Sequence, residues 1–301
     1  LSKELKRAYL FLHLAVFLFG FTAILGKLIE LKEVMLVWHR LWITCLSIVF
    51  IPGVLKGLQK MTKKERIRFM GIGIITCLHW LTFYGSIKLS NVSVALSCLA
   101  TSSLFTSLFE PFLFKRKINP LEVVLGLVVV AGISIITKAT LGYKAGIITG
   151  LVSAFLAALF STLNKRYMAD HHPVSMTFLE LGTGFALITL LLPLYIHFFP
   201  ETQLIPSSAD WIWLLVLAVL CTSVAYVLAL LALKELSAFT TNLAINLEPV
   251  YGILMAMAIF QEHRELDTGF YWGTALILSS VFIHPLAKKW LRKRQYQPSD
   301  L

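Results

Sequence analysis

Residues 84–106, YGSIKLSNVSVALSCLATSSLFT, and residues 230–252, LLALKELSAFTTNLAINLEPVYG, align without a gap at an offset of 146. Lys88 falls on Lys234, the stretch Leu89–Ser93 on Glu235–Phe239, and Ser103 on Pro249. Further on, Arg116 meets Glu262, and Gly126 meets Gly273 after a one-residue insertion. Near the front of each half, Gly26–Lys27 lies opposite Asn164–Lys165. The chain therefore reads as one unit written twice.

Composition says what kind of unit it is. Of 301 residues, 57% are hydrophobic and 14% charged, and the mean hydropathy is +0.79. Soluble domains carry about 25% charged residues, so lipid is the solvent that suits this chain. A helix that crosses the bilayer needs about 20 largely apolar residues. Ten windows qualify: 8–28, 34–55, 67–87, 91–114, 120–139, 144–164, 173–198, 210–233, 237–260 and 268–287. The expected fold is an all-α integral membrane protein of ten transmembrane helices, arranged as two inverted five-helix repeats. Residues 1–139 form the first repeat, 144–287 the second, and 288–301 a basic tail. An odd number of helices per copy sets the second copy upside down relative to the first. The longest polar connections, 56–66 and 199–209, leave no room for a soluble domain.

The net charge of +11 raises the question of nucleic acid. The basic residues lie in short clusters between apolar runs, so no nucleic-acid partner is expected, and the clusters read as topology signals. With the N-terminus cytoplasmic, one set of loops and tails holds 20 basic residues, the other 6, and Arg40 lies within a span. That asymmetry predicts both termini on the cytoplasmic side of a bacterial-type plasma (inner) membrane. Cys45, Cys77, Cys98 and Cys221 all fall in apolar segments and read as small buried hydrophobes, with no disulfide or metal site implied. The first apolar run is followed by Lys27, Leu28, Ile29 and Glu30, not by a cleavage site, and reads as a retained helix.

Leu243–Phe260, with Pro249 mid-helix, Gln261–Glu262 at its end and Gly273 in the next span, resembles the repeat signature of the drug/metabolite transporter superfamily, specifically its EamA-type permeases. In the first half the matching stretch is Ser97–Lys117, followed by Gly126 and Gly132. The resemblance covers about residues 8–287 and implies export or exchange of small organic metabolites, often amino acids or related compounds. This chain departs from the pattern at Ser103, where the first half lacks the proline, at Arg116, where it lacks the glutamate, and at Ser279. The two halves are therefore free to bend differently.

The candidate residues are polar groups at membrane depth, where they are costly and usually face a cavity or a partner. Glu248 lies next to Pro249, whose missing N–H frees a backbone carbonyl beside the acid; it suits a group that gains and loses a proton or holds a cation. A glutamate hydrogen-bonded between helices is the plainer alternative. Asn242 and Asn246, spaced i, i+4, read first as interhelical hydrogen-bonding groups and second as solute ligands. Trp80 and Tyr84 share a helix face and could wall a pocket, or simply pack. His79 could relay a proton, although a packed neutral ring is the commoner case. Ser97, Thr101, Ser102 and Ser103 either line a cavity or let helices approach. Arg40 and Glu180 occupy loosely corresponding places, each near enough to a span end to snorkel. Trp38 and Trp42 read as interfacial anchors, and Glu110 as a partner of the cluster at Lys115. His171–His172 is too thin a signal for a metal site.

A secondary carrier working by alternating access about a midplane cavity accounts for these features. Its partners are a small-molecule substrate and the bilayer, with the protein acting as a monomer or homodimer and needing no cofactor. A proton-coupled exporter of small cations or drugs is the alternative. No G-x-x-x-x-G-K-[ST], H-E-x-x-H or G-x-S-x-G occurs, so nucleotide hydrolysis and intramembrane enzymology find no motif. A non-transporting scaffold would not require inverted symmetry around a buried acid.

Overall fold

The computed structural model describes residues 3–115, 117, 120–167, 171–233, 235–236, 244–245 and 247–295. Its helices are α1 (Lys3–Leu28), α2 (Glu33–Val49), α3 (Val54–Lys60), α4 (Lys63–Leu89), α5 (Val92–Ala100), α6 (Ser102–Phe114), α7 (Pro120–Ala139), α8 (Lys144–Tyr167) and α9 (Pro173–Phe198). They continue with α10 (Ser208–Leu215), a π-helical stretch (Val216–Val224), α11 (Ala225–Leu233), α12 (Glu248–Phe260) and α13 (Thr268–Gln295). The described residues contain no strand.

Among the described residues six helical stretches are long and apolar enough to cross a membrane: Lys3–Leu28, Lys63–Leu89, Val92–Phe114, Lys144–Tyr167, Pro173–Phe198 and Ser208–Ala229. A seventh follows if α2 and α3, bent by 95°, are taken together. Leu127, Leu190 and Phe112 stand exposed on the outer faces, where hydrocarbon is a favourable neighbour. The chain is an all-α integral membrane protein.

The structure corrects the expected second window, 34–55. α2 stops at Val49, and Gly53 takes φ 93, a left-handed value that a side chain disfavours. The chain then turns into α3, so the connection expected at 56–66 is helical up to Lys60. Thr62 and Glu65 next form a capping box that starts α4.

Lipid supplies no hydrophobic drive between helices, so close approach and interhelical hydrogen bonds hold them together. The packed pairs exchange between the halves: α1 lies on α11 and α12, while α8 lies on α4 and on α5 and α6. α5 also meets α12, α2 meets α9, and α7 meets α13. Ser86 Oγ donates to Gly146 O (2.8 Å), Thr44 Oγ1 to Ala218 O (3.3 Å), and Ser97 Oγ bonds Thr274 Oγ1 (3.0 Å).

Two helices match closely. α6 and α12 are 13 residues each; Thr101 precedes one with φ −71 and ψ −8, and Leu247 the other with φ −81 and ψ −11. They end on Lys115 (φ 51) and Gln261 (φ 54). Pro249 is not mid-helix as expected but sits in the first turn of α12, where its missing N–H costs no helical bond. The break at Thr101 forms with no proline: its hydroxyl donates to Cys98 O at 2.6 Å.

The ends of the bundle are defined by charge. Glu262 is fully buried and accepts from Lys27 Nζ (2.9 Å), Val92 N (3.1 Å), Ser93 N (2.9 Å) and Ser93 Oγ (2.6 Å). Asn91 Oδ1 takes Val94 N, so carboxylate and amide together serve the free N–H groups opening α5. At that end Glu30 N also donates to Asp210 Oδ1 (2.9 Å), and Lys88 donates to Ile29 O. Beyond the far end of α6, Lys165 Nζ holds Glu110 (2.7 Å) and Arg166 Nη1 holds Leu113 O (2.9 Å). Glu110 thus ties α6 to α8 across 55 positions of sequence. α1 and α8 consequently finish at opposite ends of the Val92–Phe114 rod.

Candidate functional site

Arg40 is the eighth residue of α2 and only 6% exposed. Its guanidinium lies over the Trp80 ring, 3.7 Å from the centroid. Nη1 donates to Tyr84 Oη (2.6 Å), while Nε and Nη2 donate to Thr222 Oγ1 (3.2 and 3.0 Å). Trp80 and Tyr84 stand one turn apart on α4, which aims both at the cation. Thr222 belongs to the π-helical stretch, and its hydroxyl donates to Leu217 O, five residues back, at 2.8 Å. Such widened turns recur at functional sites.

Three of the five guanidinium N–H groups are engaged. Among the described residues no carboxylate lies within 4.0 Å of Arg40. Stacking on a desolvated indole is worth about 2 kcal/mol. That and the three hydrogen bonds meet much of the several kcal/mol of dehydrating a cation, but they supply no negative charge. Arg40 is an electropositive group without a contacting anion, and it has not snorkelled to a surface.

Glu248 opens α12, is partly buried, and acts on Arg40 electrostatically without forming an ion pair. α1 reaches it closely: a Cβ on Gly20 would lie 3.0 Å from Glu248 O and 3.1 Å from Gly252 N. The acid and the arginine thus come from different halves of the chain, with Trp80 and Tyr84 beside the arginine.

The other expected residues distribute differently. His79 is buried, with Nδ1 3.0 Å from Ser153 O and 2.9 Å from Ser153 Oγ, and it stacks on Phe83. It joins α4 to α8. Ser102 begins α6, its carbonyl accepts from Thr106 Oγ1 (2.9 Å), and it is not among the groups bonded to Arg40. Asn242 and Asn246 lie outside the described residues. Trp38 Nε1 donates to Thr189 Oγ1 of α9 (2.9 Å), and Trp42 Nε1 to His39 Nδ1 one turn back on α2 (3.2 Å). The sequence reading missed Thr222; the adjacent hydroxyls of Thr222 and Ser223 inside the apolar window 210–233 were the available signal.

The model of the EamA-like transporter family matches the chain twice, over residues 6–138 and 144–284. An uncharacterized transporter of Clostridium kluyveri is 24% identical over 280 residues, covering 87% of this chain and 88% of the relative. Another, from Archaeoglobus fulgidus, is 30% identical over 138 residues, covering 46% and 47%. A solved structure titled only as a crystal structure of a protein superposes with a TM-score of 0.63, covering 94% of this chain and 98% of that one at 17% identity, a likeness of fold.

Proposed function

The chain belongs to the EamA-like transporter family, and we propose that it is a secondary carrier of ten transmembrane helices in two inverted repeats, moving a small organic acid with an amino-acid-like head group. The observation that carries the reading is Arg40, buried, stacked on Trp80 and lacking a contacting carboxylate. A solute carboxylate answers that need, since arginine offers a planar fork that matches it. Glu248, at the start of α12, suits an ammonium group or a proton taken up in exchange.

Two observations support the inverted arrangement. The packed pairs exchange between the halves, and α1 and α8 end at opposite ends of the bundle. Repeats so related can trade one open side for the other around a central site. Glu262 from the second half grips α1 and α5 of the first, which suits a closed end. The charge asymmetry between loops supports a reading with that end outside and both tails on the cytoplasmic side of an inner membrane.

The test is counterflow in proteoliposomes. Vesicles preloaded with unlabelled amino acid should accumulate the labelled compound transiently, and Arg40→Gln should abolish the overshoot. Accumulation of quaternary amines instead, unaffected by Arg40→Gln, would sink the carboxylate reading and favour a cation exporter.

A further inference from the structure

Away from Arg40, a second polar pair is buried between α8 and α9. Glu180 is 5% exposed, and Asn164, in the last turn of α8, is partly buried. Asn164 Nδ2 donates to Glu180 Oε2 at 3.1 Å. The remaining oxygens, Glu180 Oε1 and Asn164 Oδ1, are both buried and without a hydrogen-bond partner among the described residues. Each is an acceptor, so neither can serve the other, and such groups are costly to leave unmet.

The charged neighbours are committed elsewhere. Lys165 is held by Glu110 and Arg166 by Leu113 O. On the elements packed against α9, Arg40 of α2 is held by Tyr84 and Thr222, and Lys56 and Lys60 of α3 are exposed. On α4, Arg68 lies over Tyr167, His79 bonds Ser153, and Cys77 turns to Gly184 O. The negative end of the α8 dipole adds to the demand for positive charge.

We propose that Glu180 and Asn164 form a site for one monovalent positive charge, a proton or a sodium ion, held between Oε1 and Oδ1. A carboxylic acid and a primary amide join through two parallel hydrogen bonds, N–H to C=O and O–H to C=O. The first of these is in place. A proton on Oε1, donated towards Oδ1, completes the pair, and its departure restores the carboxylate. A sodium ion would take the same two oxygens together with free carbonyls at the end of α8. A single carboxylate balances one charge, which disfavours calcium or magnesium.

The experiment uses the full chain in detergent without solute, so its outcome is separate from whether solute is carried. The infrared band of protonated carboxyl groups and the binding of radioactive sodium are recorded for the native protein and for Glu180→Gln. A carboxyl band lost in the variant assigns the proton; one bound sodium ion per chain, lost in the variant, assigns the metal. Absence of both signals in the native protein, or survival of the signal in Glu180→Gln, overturns the site. Glutamine can complete an amide–amide pair with Asn164, so in sodium-free buffer the variant should melt no lower than the native protein. A clear fall in its melting temperature would show the carboxylate engaged otherwise, and would also overturn the proposal.

Discussion

Lys27 Nζ lies 2.9 Å from Glu262 Oε1, joining residues 235 positions apart at one end of the bundle. The carboxylate is fully buried, and its other partners are N–H and O–H groups at the start of α5. Removing an acid with so many donors leaves a cation and two amides unpaired. Glu262→Ala should therefore destabilise the protein by about 3–5 kcal/mol, read as a fall in thermal unfolding temperature in detergent. An unaltered melting curve would mean that the grip contributes nothing.

Arg40→Lys keeps the charge but loses the planar fork. Solute affinity should fall roughly 10- to 100-fold, the value of one or two charge-assisted hydrogen bonds. Equilibrium binding of the labelled counterflow substrate checks this, and native affinity in the variant would remove Arg40 from recognition.

Trp80→Leu removes the stacking partner while keeping an apolar side chain. The expected loss is about 2 kcal/mol in folding stability. Chemical denaturation of the reconstituted protein is the measurement; the double variant with Arg40→Met should then show little additional loss, because the cation is gone.

Gly20→Val tests the approach of α1 to α12, since a Cβ there already meets Glu248 O at 3.0 Å. Overpacking of this kind costs about 1–3 kcal/mol, and the readout is a lowered melting temperature together with slower counterflow.

Cysteines placed at Lys60 and at Ser299 should react with a membrane-impermeant reagent only from the cytoplasmic side, the outcome expected from the 20-to-6 distribution of basic residues. Labelling of either from outside would reverse the assigned orientation.

Hydropathy windows made most of the fold legible, because a lipid solvent demands long apolar runs. The duplication was legible through Lys88 and Lys234 and their neighbours. What escaped were features set by backbone accommodation. The helix breaks at Thr101, whose hydroxyl is bonded to Cys98 O, without the proline that marks the matching break. Val216–Val224 winds as a π-helix in a run that no composition distinguishes from its flanks. Arg40, Trp80 and Tyr84 were each visible as unusual residues. Their convergence was not, since it depends on how α2, α4 and the π-helical stretch lie in three dimensions. The pairing of Glu110 with Lys165 was hidden for the same reason: it depends on proximity in space, not along the chain.

The equal length of α6 and α12 carries a constraint on how the two halves can diverge. Each is held at its start by a fixed break and at its finish by a left-handed residue. One extra residue within either would swing everything beyond it by about 100° around the helix axis, carrying Glu262 off α5 in one case and Glu110 off Lys165 in the other. Substitutions away from Glu110, Glu248 and Gly252 leave this register intact, whereas insertions and deletions do not.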